Sequence, residues 1–180
     1  MADQALKSMT VDEFLAWDDG SDTRYELADG VVRTMSPPGG PHRIIIVNTS
    51  GTLYNALSNR LPCHGEAEAG LRIDAHTMWQ ADLAVTCQPV GREIVDPLLV
   101  IEVLSPSTRT HDLGRKLVDY KTLPTVREIW MIDSERRWVQ HWRREQSDWI
   151  GQDFVGSSAF DSLVLATRVT LDQLYASTDL

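Results

Sequence analysis

The stretch LLVIEVL, residues 98–104, constrains the fold more than any other part of the chain. Successive side chains of a strand point to opposite faces. Leu98, Val100, Glu102 and Leu104 therefore share one face, and Leu99, Ile101 and Val103 the other. Both faces are apolar apart from Glu102, so the strand must be covered on both sides, as in a sheet flanked by helices. The next segment, SPSTRTHDLGRKLVDY (105–120), starts a helix over about 108–122, with Ser or Thr near its start in the N-cap role. VREIWMID (126–133) reads as another buried strand. Strand, helix, strand with apolar strands predicts an α/β sheet that is parallel at this point.

The rest of the chain supplies elements around this unit. A short helix is expected at 11–17, capped by Thr10, then a hairpin around the ADG of RYELADGVVRTMS. The turn-rich SPPGGPH (36–42) leads into a helical pattern over 42–61, with Ile46, Thr49, Leu53 and Leu57 on one side. Strands are expected at about 70–74, 79–87 and 97–105. Two tryptophan-rich β-like runs follow at 136–143 and 147–155, and a short helix after Thr170. A length of 180 residues suits one domain, 1–180, with one core.

The longest apolar runs, IIIV (44–47) and LLVI (98–101), are far below the roughly 20 residues of a membrane span. No basic region followed by an apolar stretch opens the chain. These features predict a cytoplasmic protein without a membrane, with Cys63 and Cys87 as reduced thiols. Cys63, His64, His76 and Cys87 match no zinc-site spacing. Seventeen basic residues face 26 acidic ones, a net charge of −9. That is a poor footprint for gripping a phosphate backbone, unless a local basic face exists.

An ionised Glu102 in an apolar strand has to protonate, pair or bind a metal. The preceding strand, WQADLAVTC, repeats the anomaly with Asp82, which projects with Gln80 and Ala84. Two carboxylates side by side repel, and a hard divalent cation resolves the repulsion. On a helical wheel with Leu113 at zero, Leu117 falls at about +40° and Tyr120 at about −20°, which defines the core face. Lys116 falls at about −60° and Asp112 at about −100°, so a lysine overlooks the sheet just after the Glu102 strand. Simpler readings stand beside each of these. Glu102 could pair with Arg109, Asp82 could face solvent at a strand end, and Lys116 could pair with Asp112 on a solvated face.

The order Asp82, then Glu102 twenty residues on, then a lysine on the next helix resembles the PD-(D/E)xK nuclease superfamily. In that pattern the lysine usually lies two residues after the second carboxylate; Leu104 stands there, and the lysine has migrated to Lys116. With YELADGVV, SPPGGPH, VIEVLSPSTRTHDLGRK…DY and VREIWMID, the chain is similar to the Uma2 family of restriction-endonuclease-like proteins from about Phe14 to Trp142. Ala81 departs from the pattern, which has proline there.

The resemblance implies a restriction-endonuclease-like fold: a central mixed β-sheet flanked by helices, with extra β-strands at the C-terminal side. It implies Asp82 and Glu102 as ligands of Mg²⁺ (or Mn²⁺), aided by a main-chain carbonyl near Val103, and Lys116 as the catalytic lysine. Glu26 of YEL would be a further acidic residue at the site. His42 would contact phosphate or a water, or simply cap a helix start; Asp112 and Arg109 would stand nearby. The implied activity is hydrolysis of phosphodiester bonds, with nucleic acid, DNA first, as partner. The rival is a nuclease-like module that binds nucleic acid or protein without cutting. Of six tryptophans, Trp130, Trp138, Trp142 and Trp149 crowd the C-terminal β region. Some are expected in the core and the rest at an edge or a homodimer contact.

Overall fold

The strand that demanded cover on both faces, β5 (Pro97–Leu104), lies inside a mixed sheet of eight strands among the described residues. The structure, a computed structural model, describes residues 8–37, 39–106 and 109–180. The other strands of this sheet are β1 (Tyr25–Ala28), β2 (Val31–Thr34), β3 (His64–Arg72), β4 (Met78–Thr86), β6 (Glu128–Asp133), β7 (Trp138–Glu145) and β8 (Asp148–Val155). Their order is β2-β1-β4-β5-β6-β7-β8, with β3 on the remaining edge of β4. β5 and β6 are parallel, as the strand-helix-strand pattern predicts, and the other pairings are antiparallel.

Alternation sorts the core into two layers. Leu83, Val85, Leu99, Ile101 and Val103 pack with α2 (Gly40–Leu57) on one face. On the other, Ala84, Val100 and Leu104 pack with Leu117 and Tyr120 of the β5–β6 crossover. That crossover comprises α3 (Arg109–His111), a π-helical turn (Asp112–Lys116) and α4 (Leu117–Thr122). The buried stripe of α2 is His42, Ile45, Thr49, Leu53 and Leu57, each three or four residues apart, as helical geometry requires. Ile45 takes the place expected for Ile46, which is only partly buried, and the stripe reaches back to turn His42 inward. Pro41 is tolerated in the first turn because its missing N–H would have no helical acceptor there.

Local chemistry fixes the N-terminal part. Thr10 caps α1 (Val11–Ala16) in a reciprocal box with Glu13. Asp29 and Gly30 turn the β1–β2 hairpin with φ of 50° and 78°, the left-handed pair such a tight turn needs. A side chain at Gly30 would also collide with Ser8. At the other end, Thr170 caps α5 (Leu171–Leu174) in a box with Gln173.

Several expectations change. The strand expected at 70–74 runs over His64–Arg72, where pairing with β4 overrides a composition rich in Gly and Ala. A small second sheet, β9 (Ala159–Ser162) with β10 (Thr167–Thr170), has no counterpart among the expected elements. Cys63 and Cys87, expected as free thiols, form a disulfide. They flank β3 and β4, whose register pairs His64 with Thr86 and so brings the two cysteines opposite each other. The cysteines therefore give no argument for a reducing compartment. Ser107 and Thr108 of the expected N-cap lie outside the described residues. Trp130 and Trp138 are core, as expected. Trp142 on β7 and Trp149 on the edge strand β8 are half-buried: Lys121 Nζ lies 3.0 Å from the Trp142 ring centre and Arg144 lies 4.6 Å from that of Trp149. Among the described residues no helix is long and apolar enough to cross a membrane.

Candidate active site

The sheet opens where β4 changes partner. Its start pairs with β1 at Met78↔Leu27, and its end pairs with β5 from Leu83↔Ile101 onward. Between these points β4 and the facing end of β5 have loose main-chain groups, and side chains satisfy them. Glu26 accepts from the Gln80 N–H at 3.1 Å, Lys116 donates to the Gln80 carbonyl at 3.2 Å, and Asp82 Oδ2 accepts from the Val103 N–H at 2.7 Å. Glu68, which would oppose Asp82 on β3, takes a left-handed backbone with φ of 53°. Continuing the β4–β5 register by one residue places Asp82 opposite Glu102. A cleft of about 330 Å³ opens here, lined among others by Glu26, His42, Asp82, Glu102, Asp112 and Lys116.

The cation that compensates Glu102 is Lys116. Its ammonium lies 2.6 Å from Glu26, 3.3 Å from Glu102 and 3.8 Å from Asp112. Lys116 and Asp112 are each 4% exposed, so they do pair, but in a buried setting and not on a solvated helix face. The physical cause is the π-turn. The Leu117 N–H bonds back five residues to the Asp112 carbonyl, which widens the winding and brings Asp112 and Lys116 over the sheet, where an ideal helical wheel leaves them at its edge. Tyr120, one turn on, donates to Glu102 Oε1 at 2.5 Å.

Charge in this pocket is unbalanced. Burial pushes the Glu102 carboxyl well above its usual value, and the Asp82 and Asp112 charges push the same way against Lys116 and the Tyr120 hydroxyl. Burial alone would discharge Lys116, but Glu102, Glu26 and Asp112 more than reverse this and hold it as an ammonium. Burial and the Glu102 charge likewise hold Tyr120 protonated. His42 Nε2 stands 3.3 Å from Asp82 Oδ2, while its buried Nδ1 has no hydrogen-bond partner among the described residues. His42 thus sits at the carboxylates and is more than a helix start.

Arg109 is the correction. It pairs with Asp133 and lies 5.4 Å from the Trp138 ring centre, at the end of β6. It neither compensates Glu102 nor lines the cleft. The structure instead brings in Tyr120, Gln80 and His111. Tyr120 carries a signal in the sequence: a tyrosine on a core face needs a partner for its hydroxyl.

Among the described residues no three His, Cys, Asp or Glu side chains form a ready-made metal cage. The donor set nonetheless fits a divalent cation. Among the described residues Asp82 uses Oδ2 for both of its contacts and Glu102 uses Oε1 for both of its own, which leaves one oxygen on each without a partner there. Several carboxylates around one ammonium leave negative charge to neutralise.

A sequence model of the Uma2 family, described as "putative restriction endonuclease", matches residues 11–172. An uncharacterised protein of Synechocystis is 25% identical over 173 residues, covering 93% of this chain and 91% of its own. The crystal structure of a putative nuclease of the DUF820 group from Anabaena variabilis superposes with a TM-score of 0.78 at 16% identity, over 93% of this chain and 98% of the other. At that identity the likeness speaks for the fold, a restriction-endonuclease-like mixed sheet flanked by helices.

Proposed function

Because the chain belongs to the Uma2 family, we propose that the cleft at the β4 split hydrolyses phosphodiester bonds of nucleic acid, DNA in the first instance, with Mg²⁺ or Mn²⁺ as cofactor. One observation carries the reading. Glu26, Glu102 and Asp112 surround a single buried ammonium, with Asp82 one register step away opposite Glu102, in a cleft open to solvent, an arrangement that costs stability and is hard to account for as packing.

Asp82 and Glu102 would hold the metal through their unbonded oxygens, with the Val103 carbonyl as a further donor. The metal, when bound, polarises a phosphoryl oxygen and acidifies a water. The water oxygen would bond to phosphorus as the ester P–O bond breaks, and the proton the water gives up would pass through solvent to the leaving oxygen. Lys116 stays charged and so donates hydrogen bonds; it is not the base. Its three N–H groups are occupied by Glu26, Glu102 and the Gln80 carbonyl. Release of the longest of these, to Glu102, frees one donor for the attacking water or a phosphoryl oxygen. His42 fixes Asp82 from the start of α2. Cutting both strands of a duplex asks for two such sites, so we include a homodimer in the proposal; a strictly monomeric mass by light scattering at tens of micromolar removes it.

The test is cleavage of single- and double-stranded DNA by purified protein with Mg²⁺ or Mn²⁺ against EDTA. Metal-dependent cleavage that Asp82→Asn and Glu102→Gln abolish is expected. Undiminished Mg²⁺ or Mn²⁺ affinity of both variants by calorimetry would overturn the ligand assignment.

A further inference from the structure

A nucleic-acid phosphate entering the cleft meets a floor of carboxylates, and Lys116 below them has no free donor. Two arginines line the cleft mouth. Arg24 is paired with Glu68. Arg33 is different. It opposes Glu26 in the β1–β2 register, so the two side chains share one face of the hairpin. Glu26 is already committed to Lys116 and to the Gln80 N–H, and the Arg33 guanidinium makes no ion pair or side-chain hydrogen bond among the described residues. In a chain with 26 acidic and 17 basic residues, an arginine beside a carboxylate and still unpaired is a cation left for something else. Its guanidinium presents five donors in a planar fork that matches phosphate oxygens.

Resting on the nuclease reading above, we propose that Arg33 is a substrate-binding residue, taking a phosphate of the nucleic-acid strand at the cleft mouth. It supplies the local positive charge that an acidic protein otherwise lacks. Its position on the exposed hairpin makes it separable from the buried cluster. Removing it weakens binding and leaves the chemistry at the floor intact.

The experiment measures binding of a labelled single-stranded oligonucleotide by fluorescence anisotropy across a salt series, with Ca²⁺ in place of Mg²⁺. Arg33→Ala is expected to weaken binding about tenfold and to lower the slope of log K against log salt by about 0.7, the share of one phosphate contact. Arg33→Lys keeps the slope and recovers part of the affinity, because a lysine is a point charge without the fork. Arg43→Ala, an exposed arginine of α2 that does not line the cleft, is the control and stays at wild type. Wild-type affinity and slope in Arg33→Ala overturn the proposal while the nuclease reading stands. Equal losses in Arg33→Ala and Arg43→Ala also overturn it, since general surface charge then accounts for binding. Wild-type protein that binds no strand at all defeats the nuclease reading, and this proposal with it.

Discussion

Adjacent strands of the sheet each carry one buried glutamate, Glu102 on β5 and Glu128 on β6, and the two are treated in opposite ways. Glu128 accepts from the Ser162 hydroxyl at 2.7 Å and the Leu163 N–H at 2.5 Å, with His141 Nε2 at 3.6 Å. Burial alone would raise its pKa, but the His141 ring, the Ser162 hydroxyl and the Leu163 N–H together pull it below the ordinary value. Glu102 stands among other carboxylates, shares one ammonium with Glu26 and Asp112, and is pushed upward. A buried carboxylate in an apolar strand is therefore no sign of function by itself. Glu128 is satisfied and fastens the β9–β10 hairpin to the main sheet. Glu102 is compensated only in part, and at a cleft.

The largest effect expected from this contrast is on activity. Asp82→Asn and Glu102→Gln should each lower kcat by at least about a thousandfold, roughly 4 kcal/mol of transition-state stabilisation, with the fold intact by circular dichroism. Glu128→Gln should cleave at the wild-type rate at a temperature where it is folded. Equal losses from Glu102→Gln and Glu128→Gln would erase the distinction between the two glutamates.

Lys116 comes next. Lys116→Ala should lose most activity yet still bind metal in calorimetry, because both carboxylates remain. Leu104 shares the face of Glu102, so the double variant Leu104→Lys, Lys116→Ala should regain part of the rate. The recovery stays partial because a charge placed in a packed face destabilises by roughly 1–3 kcal/mol. If Lys116→Ala cleaves like wild type at saturating metal, the lysine only balances buried charge, as the ligands of Glu128 do.

On stability the ranking reverses. Glu128→Ala removes the acceptor of the buried Ser162 hydroxyl and of the Leu163 N–H and should cost about 3 kcal/mol in urea unfolding. A loss below about 0.5 kcal/mol would mean that the hairpin is not fastened by this residue.

Much of this site is legible in the amino-acid sequence. Alternation places Asp82 and Glu102 on inward faces, and the crossover pattern puts a lysine over them. What sequence cannot supply are the quantities set by pairing and winding. The β4–β5 register, which makes Asp82 and Glu102 opposite neighbours, depends on where the strands separate. The π-turn moves Asp112 and Lys116 inward, and no local residue signal marks it; Gly114 permits it without requiring it. Arg109 is misplaced by sequence reasoning because a free guanidinium near a buried glutamate invites pairing, while Asp133, the partner it takes, is distant in sequence and close only through β6. The disulfide escapes such reasoning for the same cause, a register that joins the ends of β3 and β4.

The smallest effect is the most specific to the comparison. Because the folded pKa of Glu102 is raised, its contribution is fully present below the ordinary value near 4.5 and is lost as pH rises toward the folded value, where the unfolded chain has already released its proton. Metal-free protein should therefore lose stability as pH climbs out of the carboxylate range. Glu102→Gln removes this slope and raises Tm at neutral pH by about 2–4 °C. The depressed pKa of Glu128 has the opposite sign: its contribution is present above the ordinary value and is lost as pH falls through the folded one. Glu128→Gln should thus flatten the acid limb of the profile and lower Tm at neutral pH, where that contribution is missing, without adding a slope there. Lys116 adds nothing between these limits, since its raised pKa keeps it charged in both states until alkaline pH. Thermal melts in EDTA from pH 4 to 9 separate the cases. Wild-type, Glu102→Gln and Glu128→Gln profiles that run parallel would show that the two glutamates titrate alike, and the contrast between a fastened and a poised carboxylate would be lost.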